Sequence, residues 1–470
     1  MTYSASDLLA AIQADAGSGQ EVHDPATGEL IGYAPVDTVE DLNKAVEAAR
    51  AAQPAFEALG HAERSKLLHA AADAVDENAE ALAYILSREQ GKPLDGPNAR
   101  FEVGACSAWL RAAADTPLET ETILDDETGR ATLTYRALGV VGAIGPWNWP
   151  MMITVWQIAG SLRMGNTVVV KPSEYTPLSV LALIHVLNTA LPENVLQVVA
   201  GGRDVGAAMS TNEGFDKIMF TGSTATGKKI VESSASNLPR LTMELGGNDA
   251  GIVLDDVDPK AIAEDLFWGA FINTGQTCAA MKRLYVPDSI YDEVVAALVD
   301  VAKAMPMGVG IEGGNVLGPL QNKAQFDIVD RLVKSAVEDG ATIALGGNPD
   351  YDAPGYFYPT TIVTDISPDN DLVVEEQFGP ALPIIRYNDI EEAIAEANKL
   401  DVGLGSSVWS SDRDRALEVA SRIVAGTTWI NSHGGVDPRV PFGGVKSSGY
   451  GLEFGAEGLK AVGRPHVING

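Results

Sequence analysis

Residues 139–171 read GVVGAIGPWNWPMMITVWQIAGSLRMGNTVVVK, and this stretch decides the fold. Two short apolar runs, Val140–Ile144 and Thr167–Val170, flank a longer helical segment. Runs of four or five apolar residues rich in Val and Ile are what strands buried on both faces look like. The pattern repeats at Val195–Val199 and Lys217–Phe220, again separated by helical stretches, one of which opens with the cap and first-turn pair Thr176-Pro177. Strands alternating with helices imply right-handed βαβ units and a parallel sheet, which binds ligands beyond the carboxyl ends of its strands. Ala137 to Leu162 carries no charge over 26 residues, long enough for a membrane span. Gly142, Gly145, Pro146, Asn148, Pro150 and Gln157 interrupt it, so we read strand, turn and helix.

Upstream, the first hundred residues read as helices. Thr38-Val39-Glu40-Asp41 has the form of a capping box, and a second helical stretch runs from about Ala62 to the stop Gly91-Lys92-Pro93. Residues 118–137, LETETILDDETGRATLTYRA, give a hairpin signal that should leave the domain body. Downstream, a second alternation from Gly251 to about Ile430 includes Arg283–Val286, Thr342–Leu345, Ile384–Ile385 and Ser407–Trp409. Two α/β layers of similar size with a projecting hairpin is the expected architecture.

The chain has 470 residues, a formal charge of −31 and 46% hydrophobic residues, ordinary for a folded protein of several domains. That acidity argues against nucleic acid and anionic membranes as partners, since such binding needs Lys and Arg. Two cysteines, Cys106 and Cys278, cannot form a disulfide framework, and the first residues lack the features of a signal peptide, so a cytoplasmic protein is expected. No His/Cys cluster points to a metal.

Gly308-Val309-Gly310-Ile311-Glu312-Gly313 matches G-x-G-x-x-G, but a helical stretch precedes it where a strand is required, so it reads as a loop. Phe220 to Gly227 follows a strand and opens a helix; it is either an ordinary junction or a phosphate cradle. Lys171 and Glu174 stand just past a strand end, either as a surface ion pair or as a ribose clamp. Cys278 has small neighbours that leave its sulfur reachable, although a lone Cys is most often an inert buried thiol, as we read Cys106.

Seven motifs converge. Pro146-Trp147-Asn148-Trp149-Pro150, the Lys171–Glu174 strip, the Gly222–Gly227 turn, Glu244-Leu245-Gly246-Gly247-Asn248, Gly275–Cys278, Glu376-Gln377-Phe378-Gly379-Pro380 and Pro441-Phe442-Gly443-Gly444-Val445-Lys446 occur in one order. Order and spacing resemble the aldehyde dehydrogenase superfamily, from about Asp24 to about Leu459. The N-terminus departs from the pattern, with a helical stretch where the opening hairpin is expected, and the C-terminal tail looks short.

The resemblance implies a Rossmann-like coenzyme domain (1–117 and 138–246), an α/β catalytic domain (247–446), and an oligomerisation hairpin and tail (118–137 and 447–470). It implies that Cys278 is the nucleophile, with Asn148 and the Cys278 N–H stabilising the alkoxide, and Glu244 the base that activates water. Glu453 matches a proton-relay carboxylate; a salt-bridged surface residue is the alternative. Relatives that transfer the acyl group to coenzyme A lack the base, so a free acid is the expected product. Lys171 and Glu174 match adenosine-ribose contacts, Gly202, Gly222, Ser223 and Gly227 the surroundings of the pyrophosphate, and Glu376 and Phe378 the nicotinamide side, with Trp147 and Leu245 also lining the coenzyme site. NAD is expected, with NADP a weaker coenzyme. The substrate tunnel matches Trp149, Ile153, Trp156, Ile272, Thr277, Ala279, Val436 and Phe442. Succinate-semialdehyde enzymes carry arginines at the positions of Trp156 and Ile272, so a neutral hydrophobic aldehyde is expected. A semialdehyde dehydrogenase or a non-catalytic or esterolytic relative is the alternative. A homodimer or homotetramer follows from the hairpin.

Overall fold

The computed structural model describes residues 2–470. The chain opens with a helix, Ala5–Ile12, and then forms an antiparallel hairpin of β1 (Gln20–His23) and β2 (Leu30–Ala34). The expectation that a helix replaces the opening hairpin is therefore corrected, because both are present. β1 is short and mostly polar, and the apolar β2 is only five residues long, so neither marked a strand on its own. The single helix read from Ala62 to Gly91 is two, Gly60–Glu77 and Ala79–Gln90, broken at Asn78. The capping box forms as read: Thr38 Oγ1 accepts from Asp41 N and Asp41 Oδ2 accepts from Thr38 N.

After the helix Ala99–Asp115 the chain makes the hairpin of β3 (Glu121–Asp126) and β4 (Gly129–Ala137). The first α/β body follows: β5 (Val140–Ile144), β6 (Thr167–Lys171), β7 (Leu196–Val198), β8 (Lys217–Thr221) and β9 (Arg240–Glu244). These run parallel, and two later residues of the chain join their edge, as described below. The second body uses β10 (Asp249–Val253), β11 (Met281–Pro287), β12 (Thr342–Leu345), β13 (Thr361–Thr364) and β14 (Ala381–Tyr387). It continues through the short β15 (Val402–Gly403), β16 (Gly405–Trp409) and β17 (Thr427–Ile430). Its seven strands order as β12-β13-β14-β11-β10-β16-β17, with only the β12 edge antiparallel. The chain closes with β18 (Val445–Lys446) on β15, β19 (Gly449–Tyr450) and β20 (Gly463–Asn469).

In the first body, chain order gives β5 first, β6 and β7 to one side, then β8 and β9 to the other, so the sheet reads β19-β9-β8-β5-β6-β7. The direction of winding reverses between β5 and β8, and a crevice opens there at the carboxyl ends of the strands. The helix Pro150–Met164 after β5 is buried over nearly its whole length among the strands and neighbouring helices. Each of its fully buried large side chains contributes about 1.5–3 kcal/mol to folding.

Of the residues read as tail, 463–469 pair with β4 and complete a sheet of order β20-β4-β3, whereas Gly449 and Tyr450 pair with β9 beside Glu244. Ile123, Val467 and Ile468 on this three-stranded sheet are exposed. No helix among the described residues is long and apolar enough to cross a membrane.

Candidate active site

Cys278 lies between the two bodies' sheets, in the loop that leads into β11. The preceding helix, Pro259–Phe271, runs into a tight turn in which Asn273 and Thr274 have φ of 52° and 58°. Two consecutive left-handed residues other than Gly cost conformational energy that the surroundings must hold in place. Thr274 Oγ1 exchanges hydrogen bonds with both backbone groups of Gly318, at 3.1 Å each. Gly275 has φ +75°, and a Cβ there would collide with the Gly379 carbonyl. The turn delivers Cys278 half-buried against Ala279, Leu404 and Phe442, with Val436 and Phe454 at the rim. Burial pushes the thiol up to about 12; Lys282 pulls it down, while Asp249, Glu376 and Glu244 act with burial.

Asn148 is held from both ends. Its Nδ2 donates to Gln276 O (2.9 Å), which ties the amide to the loop that carries Cys278. Its backbone carbonyl accepts from Lys92 Nζ (2.9 Å) and Asn273 Nδ2 (2.8 Å). Lys92 in turn pairs with Glu102 at 2.6 Å, both side chains wholly buried, and lies 3.6 Å over the Trp149 ring. The other Glu102 oxygen accepts from Met151 N and Met152 N at the start of the helix that follows Asn148. Burial lowers Lys92 to about 8 against the pull of Glu102. Sequence reading missed both: Lys92 reads only as part of a helix stop, and Glu102 is not singled out.

Glu244 ends β9, buried, with neither carboxylate oxygen hydrogen-bonded. Burial, then the nearby Glu453, raises its pKa well above the usual carboxylate range. Glu453 is not the surface residue offered as the alternative: it is 3% exposed and both its oxygens also lack partners. Burial raises Glu453 to about 8, opposed by Lys217. Lys217, itself buried and lowered to about 8 by burial, donates to Thr242 Oγ1 at 2.7 Å. A cavity of about 30 Å³ beside Glu453 is lined by Trp109, Trp156, Met219 and Phe454, room for about two waters. Like charge on Glu453 disfavours ionisation of Glu244, so the two buried carboxyls titrate as a pair able to take up a proton from water.

The crevice of the first body holds the residues assigned to the coenzyme. Lys171 is buried at the end of β6 and donates to Pro172 O (3.1 Å), so it does not make the surface ion pair considered from sequence. Burial lowers its pKa, and Glu174 and Asp204 oppose that. Gly202 precedes the helix Arg203–Thr211. Ser223 caps the helix Thr224–Ser233, and Gly222 leads into it from β8. A Cβ on Gly227 would come within 2.5 Å of the Leu245 side chain, so a larger residue there would have to displace Leu245. The remaining face is formed by Trp147 packed edge-on to Phe378 (5.4 Å) and by Glu376, which accepts from Gly247 N and pairs with Lys282 at 3.2 Å. The Lys171 ammonium, the helix start capped by Ser223 and a carboxylate at the switch crevice fit a dinucleotide.

The tunnel residues separate into groups. Ala279, Val436 and Phe442 pack at Cys278. Trp156 and Ile272 border the first core, and Trp156 meets Phe454 (4.8 Å), Trp109 (5.7 Å) and Phe442 (6.4 Å). Trp149 donates from Nε1 to Thr277 Oγ1 (2.9 Å), while Ile153 is deep in the core. Trp109 and Phe454, which no motif marked, complete the aromatic wall.

Comparison with known proteins identifies the family. The sequence model of the aldehyde dehydrogenase family matches residues 12–467. The chain is 37% identical over 462 residues to the phenylacetaldehyde dehydrogenase of Pseudomonas fluorescens, covering 96% of this chain and 92% of that enzyme. It is also 37% identical to human retinaldehyde dehydrogenase 3, over 93% and 86% of the two chains. Lactaldehyde dehydrogenase from Escherichia coli superposes with a TM-score of 0.93 at 34% identity, over 97% and 96% of the chains. Betaine aldehyde dehydrogenase from Staphylococcus aureus, solved in complex with NAD+, gives 0.91 at 30% identity, over 97% and 92%.

Proposed function

The chain belongs to the aldehyde dehydrogenase family, and on that premise we propose that it oxidises a neutral, hydrophobic aldehyde, aliphatic or aromatic, to the free acid through a Cys278 thioester. The observation that carries this reading is the meeting of a reachable thiol, an amide clamped by buried bonds and an unpartnered buried carboxylate.

Cys278 attacks the aldehyde carbon once its proton is removed. Asn148 keeps one N–H on the Gln276 carbonyl, and the other is left to donate, with the Cys278 backbone N–H, to the alkoxide. Bound NAD supplies the hydride acceptor. Lys171, Glu174, Ser223 and Glu376 would hold it, and Trp147 and Phe378 would close over its reactive end. Glu244 takes a proton from water, which hydrolyses the thioester, and Glu453 receives the proton next. Glu174 favours NAD over NADP, because a 2′-phosphate there would meet a like charge; Lys171 softens the preference. The apolar Trp156 and Ile272 favour a substrate without a carboxylate. The exposed edge of the β20-β4-β3 sheet is suited to pairing with a second copy, since exposed edges are normally paired or covered. Two unbridged thiols are consistent with a cytoplasmic location.

A direct test is a panel of benzaldehyde, hexanal and succinate semialdehyde with NAD, following NADH absorbance and identifying the acid. A requirement for coenzyme A, or a higher kcat/KM for the semialdehyde, would overturn the reading.

A further inference from the structure

A second buried polar cluster lies against the backbone of Cys278, and of its members only Glu376 has a part in the steps above. Lys282, the second residue of β11, is 2% exposed. Its Nζ donates to the Cys278 carbonyl (2.5 Å) and stands 3.2 Å from Glu376 Oε1. Gly247 N donates to the same Glu376 oxygen at 3.2 Å. A Cβ built on Gly247 would lie 2.8 Å from Asp249 Oδ1 and 3.0 Å from the Cys278 carbonyl, so all four groups share one small space.

Asp249, the first residue of β10, is wholly buried, and its carboxylate oxygens have no hydrogen-bond partner. His433 Nε2 stands 3.7 Å from its Oδ2. His433 Nδ1 is 2.8 Å from Ser407 Oγ, which also accepts from Trp409 Nε1 (2.9 Å). Burial, then Lys282, lowers His433 to about 3, so the imidazole is neutral. Burial raises Asp249 to about 7, and Lys282 opposes it. Below pH 7 the Lys282 ammonium is thus opposed by Glu376 alone within the cluster. Glu376 is also the member that reaches the open side, with 28% of its side chain exposed against 2% for Lys282.

We propose that Lys282 is a positioning residue that links the nicotinamide side of the crevice to Cys278: its ammonium, clamped between the Cys278 carbonyl and the Glu376 carboxylate, fixes the nucleophile's backbone and favours the thiolate. A coenzyme hydroxyl that engages Glu376 withdraws the countercharge from Lys282 and leaves the ammonium to the sulfur, so occupancy of the crevice raises thiol reactivity. The idea rests on Cys278 being the nucleophile. The charged groups that face the sulfur are Lys282 on β11, Asp249 on β10, Glu244 on β9 and Glu376 on its loop. Arg283 faces Asp249 from β11, and His433 is neutral.

The test is the rate of iodoacetamide alkylation of the full-length protein against pH, with and without NAD, the label located by mass spectrometry. Cys106 is fully buried and serves as the silent control. Lys282→Met should move the half-rise up by about one pH unit, a tenfold slower reaction at neutral pH, and Lys282→Arg should recover most of it. Asp249→Asn should accelerate alkylation, but only above pH 7 where the wild-type carboxylate is charged. Glu376→Gln should accelerate it without NAD and remove most of the effect of NAD. Superimposable profiles for Lys282→Met and wild type would overturn the proposal. Should Lys282→Met not fold, slower or unchanged alkylation in both carboxylate variants would do the same. If labelled Cys278 still supported NADH formation, the assignment of the nucleophile would fall, whatever the variants show.

Discussion

Replacing Lys92 by Met tests how the site is held. The substitution keeps the volume and removes an ammonium that is fully buried between Glu102 and the Asn148 carbonyl. Glu102 keeps its two backbone donors, Met151 N and Met152 N, but loses its only countercharge. Breaking a buried pair from one side costs about 3–5 kcal/mol, which for a body of this size is a fall of roughly 6–20 °C in Tm. The double variant Lys92→Met, Glu102→Leu removes both charges and should recover most of that loss. Catalysis should suffer separately. A charge-assisted hydrogen bond contributes about 1.5–3 kcal/mol, but Asn273 still holds the Asn148 carbonyl. Allowing for that second support, we expect kcat to fall about tenfold, some 1.4 kcal/mol. Asn148→Ala, which deletes the donor itself, should cost roughly 100- to 1,000-fold. The assays are thermal unfolding followed by tryptophan fluorescence, and steady-state NADH formation. A stability loss below about 1 kcal/mol, or a double variant no better than the single one, would refute the ion-pair reasoning. Full kcat in a destabilised Lys92→Met would show that the ammonium supports the fold and not the amide.

Four further outcomes are expected. Cys278→Ala should show no turnover, whereas Glu244→Gln should give a burst of NADH and then stall with a trapped thioester; normal steady-state turnover in Glu244→Gln would remove that residue from the mechanism. Glu453→Gln should shift the acid limb of the kcat profile to lower pH, because Glu244 then ionises without a like charge beside it. The same change should flatten a loss of stability between pH 4.5 and 8: a carboxyl raised to about 8 binds a proton in the folded state that the unfolded state has released, so stability falls across that window; an unmoved limb or an unchanged stability profile counts against the coupling. Glu174→Thr should narrow or reverse the preference for NAD with little change in the chemical step, and a higher kcat/KM for NADP in the wild type would contradict the role given to Glu174. Light scattering at micromolar concentration should show a dimer or tetramer, and a monomer would leave the β3 edge uncovered.

Much of the framework was legible without coordinates. The strands around residues 140–221 announced themselves because a parallel sheet covered on both faces needs unbroken apolar runs, and that demand is written locally. The capping box at Thr38 and the helix Tyr291–Ala304 depend on contacts a few residues apart, so they too are local. The motifs around Asn148, Glu244 and Cys278 pointed to the groups proposed to react. Where local signals were weak, the reading failed: the four-residue β1 is mostly polar, and Asn78 broke a helix whose periodicity ran on through it.

What holds and tunes those groups was decided only by the tertiary structure. Lys92 reaches Asn148 across 56 residues of chain, and Thr274 reaches Gly318 across 44. Glu453 read equally well as a surface residue until the chain placed it at 3% exposure, bridged through its backbone to Phe442. Lys282, Asp249 and His433 lie on separate strands and loops, and nothing near any of them in sequence indicates a shared cluster. The reason is physical: periodicity records which face of an element is buried, but a pKa or a clamp depends on which distant segments close over it, and water is excluded from those groups only when the segments pack together.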